Sequence, residues 1–307
     1  LFFYEKDLGY RANVLGDLDK GFYDFKEVIL QVASNEIKLN GTIETIDEVS
    51  HYDLSFVSEE GNLESVIQLL PEEYLEYLGD FRSTGNFLFS GTIGGEAAAQ
   101  QSPEIDFELS LENGRINSPR LENSFKDVSF VAKFTNGRKA NRETSVFEIE
   151  NLKGYFNREL VELKLRVNDF DDPNINFSLD GVLPLESVYG LFNNPKITDG
   201  HGEIEIKNLK LNGRYEDMIQ TSKIYRVETG GTLEFDDAGL TINGEKMIID
   251  RGDLILKDNL LTIQELKLEG AGSEIEFNGS ANNLIPVLFA DSQNSKQAEL
   301  EFQANLL

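Results

Sequence analysis

Two histidines, 55 carboxylates and no cysteine make up the inventory of groups suited to proton transfer or metal ligation in this 307-residue chain. His51 stands in "VSHYDLSF", where neighbours alternate with period two, and His201 sits in "DGHGEIEI", which reads as a turn. Neither has a partner at the spacing a zinc site uses, so both read as structural or solvated. Carboxylates this abundant face one another across strands by composition alone. Glycoside hydrolysis needs two held at a defined separation, which spacing in sequence does not supply. The densest acidic group, Asp169, Asp171 and Asp172 in "NDFDDPNINF", lacks the central glycine and terminal glutamate of a calcium loop and reads as a turn that enters a strand through Pro173. "SGTIGGE" near Ser90 is glycine-rich but has neither the lysine nor the following helix of a phosphate cradle. No G-x-S-x-G elbow, P-loop or dinucleotide fingerprint occurs. The expectation is a non-enzymatic chain with no catalytic residues, no metal and no cofactor.

Charge narrows the partners. Lys and Arg number 28, giving a formal net charge of -27 that repels a phosphate backbone, so nucleic acid is not an expected partner. The same charge opposes electrostatic docking on an anionic leaflet. The chain opens "LFFYEKDLGY", with no initiator Met and no apolar run near the ~18 residues of a spanning helix. It reads as a soluble piece of a longer protein.

The elements that must position any site are strands. In "IDFELSLENG", Ile105, Phe107, Leu109 and Leu111 point one way while Asp106, Glu108, Ser110 and Glu112 point the other. The pattern returns at Val161–Val167, at Ile175, Phe177 and Leu179, and at Leu300–Leu306. Six phrases, "IKLNGTI", "FLFSGTI", "FSLDGVL", "LKLNGRY", "LTINGEK" and "IEFNGSA", place glycine after an alternating apolar pair. Each is either a tight hairpin turn or a glycine bend inside a longer strand. Apolar parity slips between Ile206 and Leu209 and between Ile263 and Leu266, which predicts bulges near Asn208 and Glu265. Three helical stripes interrupt the strands: "NLESVIQLLP" from Asn62, "PLESVYGLFN" from Pro184 and a weaker "NNLIPVLFAD" from Asn282. They suggest a loose repeat of strands closed by a short helix. "GGEAAAQQSP" from Gly94 reads as a mobile linker, "NGRKANRE" from Asn136 as a basic hairpin tip and "FADSQNSKQ" from Phe289 as a loop.

What remains is the apolar face. Phe occurs 21 times against 10 Tyr and no Trp, so most of the aromatic mass sits in a side chain with no hydrogen-bonding handle. On the residues alone, a closed core and an open ligand-holding face both account for this. The strings "TGNFLFSGTIGGEAAAQQSPEIDFELSLENGRI", "NDFDDPNINFSLDG" and "GDLILKDNLLTIQELKLEGAGSEIEFNGSANNL" resemble the carboxy-terminal region of the AsmA-like proteins, relatives of TamB and the bridge-like lipid-transfer proteins, over roughly residues 85–284. The resemblance implies a mainly β fold: an elongated, strongly twisted antiparallel sheet curled into a groove, with a few short amphipathic helices. It implies one module over 1–307, a fragment of a longer protein, with sub-repeats at about 1–80, 81–193 and 194–291. It further implies a periplasmic place in a Gram-negative envelope and a tether to the inner membrane by an amino-terminal helix outside this chain. Contact with the outer membrane would run through further segments. The partner it implies is phospholipid, whose acyl chains would lie on Phe87, Phe89, Phe107, Leu109, Phe177 and Leu179. The competing expectations are a structural or interaction module whose core is closed and, third, a carbohydrate-active β protein.

Overall fold

The computed structural model describes residues 8–32, 35–61, 82–117, 124–185, 197–242, 245–270, 273–289 and 301–306. Strands dominate, and the chain divides into two compact units: one of Leu1–Pro119, Phe125–Leu152 and Val167–Asp171, the other of Arg120–Ser124, Lys153–Arg166 and Asp172–Leu307. Of the expected sub-repeat boundaries, those near residues 80, 193 and 291 lie outside the described residues.

In the first unit, β1 (Leu8–Arg11) and β2 (Val14–Asp17) both pair with β3 (Phe22–Val32). From there an antiparallel meander runs through β4 (Asn35–Ile46), β5 (Val49–Gly61), β6 (Arg82–Ala97), β7 (Glu104–Asn117) and β8 (Phe125–Thr135). Strands β9 (Val146–Phe156) and β10 (Glu159–Asn168) contribute residues to both units. The second unit continues antiparallel through β11 (Asn174–Pro184), β12 (Ile197–Arg214), β13 (Glu228–Ile242), β14 (Glu245–Lys257), β15 (Leu260–Gly270), β16 (Ser273–Asn282) and β17 (Glu301–Leu306). Two short helices interrupt it, α1 (Tyr215–Met218) and α2 (Leu284–Phe289), with a 3-10 turn over Ile224–Arg226 after α1.

The glycine phrases are bends within strands rather than hairpin tips. Gly41, Gly91, Gly181, Gly213 and Gly279 all lie inside strands, and only "LTINGEK" falls where one strand ends and the next begins, with Asn243 and Gly244 outside the described residues. Described two-residue turns instead use Asp47-Glu48, Asn157-Arg158 and Asp258-Asn259, each residue at positive φ, as the primed turn matching strand twist requires. Ile46 pairs with Val49 and Lys257 with Leu260 across two of them.

Both expected bulges are present. Asn208 (φ 51) and Glu265 (φ 50) are the extra residues where register shifts between Lys207 and Lys210 and between Ile263 and Leu266. Each backbone N–H freed by the bulge donates to an Asx side chain on the adjacent strand: Asn208 N to Asp180 Oδ1 at 2.6 Å, Glu265 N to Asn278 Oδ1 at 2.9 Å. Those acceptors are the polar residues directly before Gly181 and Gly279. In these two phrases the Asx before the glycine is therefore the complement of a bulge next door. Opposite Asn208, Gly231 (φ 131) has no room for a Cβ, which would lie 2.6 Å from Leu209 Cα.

Three expectations need correction or restriction. Gly94–Ala97 are not linker but the end of β6, paired with β5 from Asp53 to Ser50, and the turn that follows closes with mutual backbone hydrogen bonds between Ala98 and Gln101. His201 lies within β12 rather than in a turn, because Gly239 on β13 leaves the space its ring occupies: a Cβ there would come 2.0 Å from His201 Cε1. Of the helical phrases, "NLESVIQLLP" lies outside the described residues, as does the second after Leu185, while α2 carries the third.

Candidate functional site

Residues directly opposite one another in a ladder share a face of the sheet, so register converts the first unit into rows. One row crosses β3 to β8 as Val28, Leu39, Phe56, Gly91, Phe107 and Phe134. Below it run Ser58, Phe89, Leu109 and Ala132, then Gly61, Phe87, Leu111 and Phe130. Above it run Phe25, Gly41, Leu54, Ile93 and Ile105. The other face carries Lys38, Val57, Ser90, Glu108 and Lys133 in one row and Asn40, Ser55, Thr92, Asp106 and Thr135 in the next. There Lys133 bonds Glu150 at 2.6 Å and lies 3.9 Å from Glu108. The Glu150 hydrogen bond, followed by the pull of Glu150 and Glu108, raises the lysine's pKa. A dry face and a wet face are thus both drawn by side-chain chemistry.

Exposure divides the dry face. Phe87 and Leu111 are 1% exposed, and Phe89, Leu109 and Ala132 are buried with them. Phe56, Phe107, Phe134, Ile93 and Ile105 are half-buried, so the two upper rows keep apolar surface within reach of solvent. Aromatic rings join the two zones: Phe89 lies 5.8 Å from Phe107 and 6.0 Å from Phe56, centroid to centroid. Gly91 makes this possible, since a Cβ there would meet Phe56 Cζ at 2.4 Å. Ser58 is the polar member of the buried row, and its Oγ has no partner among the described residues.

The second unit repeats the arrangement. Gly181, Ile206, Leu233, Leu254, Ile263 and Gly279 form a row across β11 to β16. Phe177 pairs with Leu211 and Leu179 with Leu209. One end of this face is covered: Met218 of α1, Ile224 of the 3-10 turn and Ile285 of α2 are buried in one cluster with Leu211, Leu256, Leu261 and Ala281, and Phe177 packs against it. Leu179 packs instead beside Leu185, Ile204 and Ile206.

Of the residues expected to line a groove, Phe87, Phe89, Phe107 and Leu109 therefore share one face and one cluster in the first unit, and Phe177 and Leu179 belong to separate clusters of the second. Phe56 and Phe134 were missed by the sequence reading. The signal for both is cross-strand: each is placed in the row by pairing with Gly91 and Phe107, which period-two patterning within one strand does not reveal.

The described polar groups are dispersed and mostly engaged in pairs. No group of three potential metal ligands occurs among the described residues. His51 is exposed on β5, 3.7 Å from Glu96. In the first unit Asp171 receives Arg142 at 2.8 Å, and in the second Asp172 pairs with Arg214, so the acidic turn is held by arginines. Beside α1, hydrogen bonds from Lys223 and then Gln220 hold the Glu216 carboxyl below its ordinary range. No described helix is long and apolar enough to cross a membrane. Neither protein-family models, curated proteins nor solved structures gave a match to this chain.

Proposed function

We propose that the chain is a non-enzymatic module that shelters or conducts phospholipid acyl chains along its apolar sheet face. In this reading it is a piece of an AsmA-like protein working in the periplasm of a Gram-negative envelope, its sheet curled so that the dry face forms a groove. One observation carries the reading: an apolar row runs unbroken by polar side chains across β3–β8, and Leu39, Phe56, Phe107 and Phe134 within it remain half-buried. Each lipid methylene moved from water onto such a surface contributes about 0.8 kcal/mol. Passage along the face requires no bond-making, in keeping with the paired, dispersed polar groups.

A closed structural module is the second reading, favoured by the burial of Phe87 and Leu111 and by α1 and α2 over the second unit's dry face. Native mass spectrometry of the purified chain separates the two. Bound phospholipid, lost in Phe107→Glu and kept in Ser55→Glu, which adds the same charge to the wet face, supports the lipid module. A particle free of lipid after incubation with phospholipid vesicles sinks it and leaves the closed module.

A further inference from the structure

The most concentrated positive charge in the sequence lies at the edge of the half-exposed rows. Ile105, which ends the row Phe25–Gly41–Leu54–Ile93–Ile105, exchanges hydrogen bonds with Asn136: the Asn136 N–H donates to Ile105 O at 3.1 Å, and Asn136 Oδ1 accepts the Ile105 N–H at 2.8 Å. The loop from Asn136 to Ser145 therefore begins where that apolar row stops. It carries Arg138, Lys139 and Arg142 against the single carboxylate Glu143, in a chain whose net charge is -27.

The loop is also built to hold one shape. Asn136 Nδ2 donates to Pro103 O at 2.9 Å, and Thr144 Oγ1 donates to Asn136 O at 2.6 Å. Ser145 Oγ donates to Asn141 O at 2.8 Å, and Gly137 and Ala140 take positive φ. Its cations are unequally engaged. Arg142 is bound to Asp171 and to Phe170 O. Lys139 makes an exposed contact with Glu143 at 3.1 Å, the kind of pair that exchanges readily for another anion. Arg138 is exposed and has no ion-pair partner among the described residues.

We infer that Arg138 and Lys139 receive the phosphate of a phospholipid whose acyl chains lie on the rows ending at Ile105 and Phe134. The inference rests on the lipid reading above. The chain as a whole, at a net charge of -27, repels an anion. Here a planar guanidinium, which matches phosphate oxygens in pairs, stands two residues beyond the apolar row. A preorganised loop spends little ordering entropy on the contact.

The test uses the whole chain and phosphatidylcholine vesicles carrying either an acyl-fluorescent phosphatidylglycerol or the same fluorophore on diacylglycerol, which has no phosphate. The wild-type chain is expected to retain the phosphatidylglycerol about fivefold better, the size of one exposed ion contact. Arg138→Glu with Lys139→Glu removes that preference and leaves diacylglycerol retention unchanged, Arg138→Gln with Lys139→Gln weakens it, and Arg138→Lys with Lys139→Arg keeps most of it. Equal retention of both probes by the wild type, or a preference that survives charge reversal, overturns the headgroup site and leaves the lipid reading standing. Failure to retain either probe overturns both.

Discussion

Asn259 shows how much one side chain does in this fold. It is the second residue of the turn between β14 and β15, at φ 66, and only 9% exposed. Its Nδ2 donates to Ile224 O and to Val227 O, both at 2.8 Å, and its backbone N–H donates to Thr229 Oγ1 at 2.8 Å. These bonds fasten the 3-10 turn, and with it buried Ile224 and Val227, over the sheet. Asn259→Gly keeps the backbone conformation and removes the amide, so Val227 O loses its side-chain donor and Ile224 O is left with the Val227 N–H alone. The expected loss in chemical denaturation is about 1–3 kcal/mol, the cost of leaving such groups unpaired. A neutral result would show that the 3-10 turn is held by its apolar residues alone. Nothing in "KDNLL" announces this role, because its partners lie more than thirty residues away in sequence. By contrast, the strand setting of His51 was legible, since its neighbours in "VSHYDLSF" alternate with period two and the residue lies within β5.

The hairpin is the next scale up, and there the same position in an equivalent turn carries the opposite expectation. Glu48 follows Asp47 between β4 and β5 at φ 68, with an exposed side chain. A residue with a Cβ held in the left-handed region costs about 1–2 kcal/mol relative to the ordinary helical region, and glycine avoids that cost while losing more freedom on folding. Glu48→Gly is therefore expected to stabilise the first unit by roughly 0.5 kcal/mol, the balance of these two effects, measured by denaturant midpoint at unchanged slope. A destabilised variant would mean that the Glu48 side chain makes a contribution its exposure conceals. Local chemistry left the choice open here: Asn-Gly and Asp-Gly are the strongest hairpin signals, yet Gly41, Gly181 and Gly279 bend strands while Asp47-Glu48 and Asp258-Asn259 turn them. The parity slips at Asn208 and Glu265 were more informative, because a bulge must reverse which residues face the core, and that reversal is written in the apolar pattern itself. Which strand supplies the acceptor for the freed N–H is a tertiary fact, so the parts played by Asp180 and Asn278 emerge only from the register.

Charge belongs to the whole molecule. Several of its cations sit in exposed pairs on the wet faces, such as Lys133 with Glu150 and Lys207 with Glu234, and these contribute little each. The remaining carboxylates, in a chain of net charge -27 and isoelectric point near 4.4, repel one another in the compact state. Salt weakens both terms, so the sign of its effect tells which is larger. Raising sodium chloride from about 10 mM to about 1 M shortens the screening length from about 30 Å to about 3 Å, which removes much of the repulsion summed over many distant charges. The close pairs lose less, because their partners lie within roughly one such length. The melting temperature is therefore expected to rise with sodium chloride. The chloride is the right choice, since sulfate would strengthen apolar burial on its own account. At low salt, lowering the pH from 7 towards 5 should act in the same direction, because each carboxylate that takes up a proton reduces the repulsion. A melting temperature that falls with salt would show instead that the ladders of the wet face outweigh the net charge, and that the sheet is held by its ion pairs as well as by its dry rows.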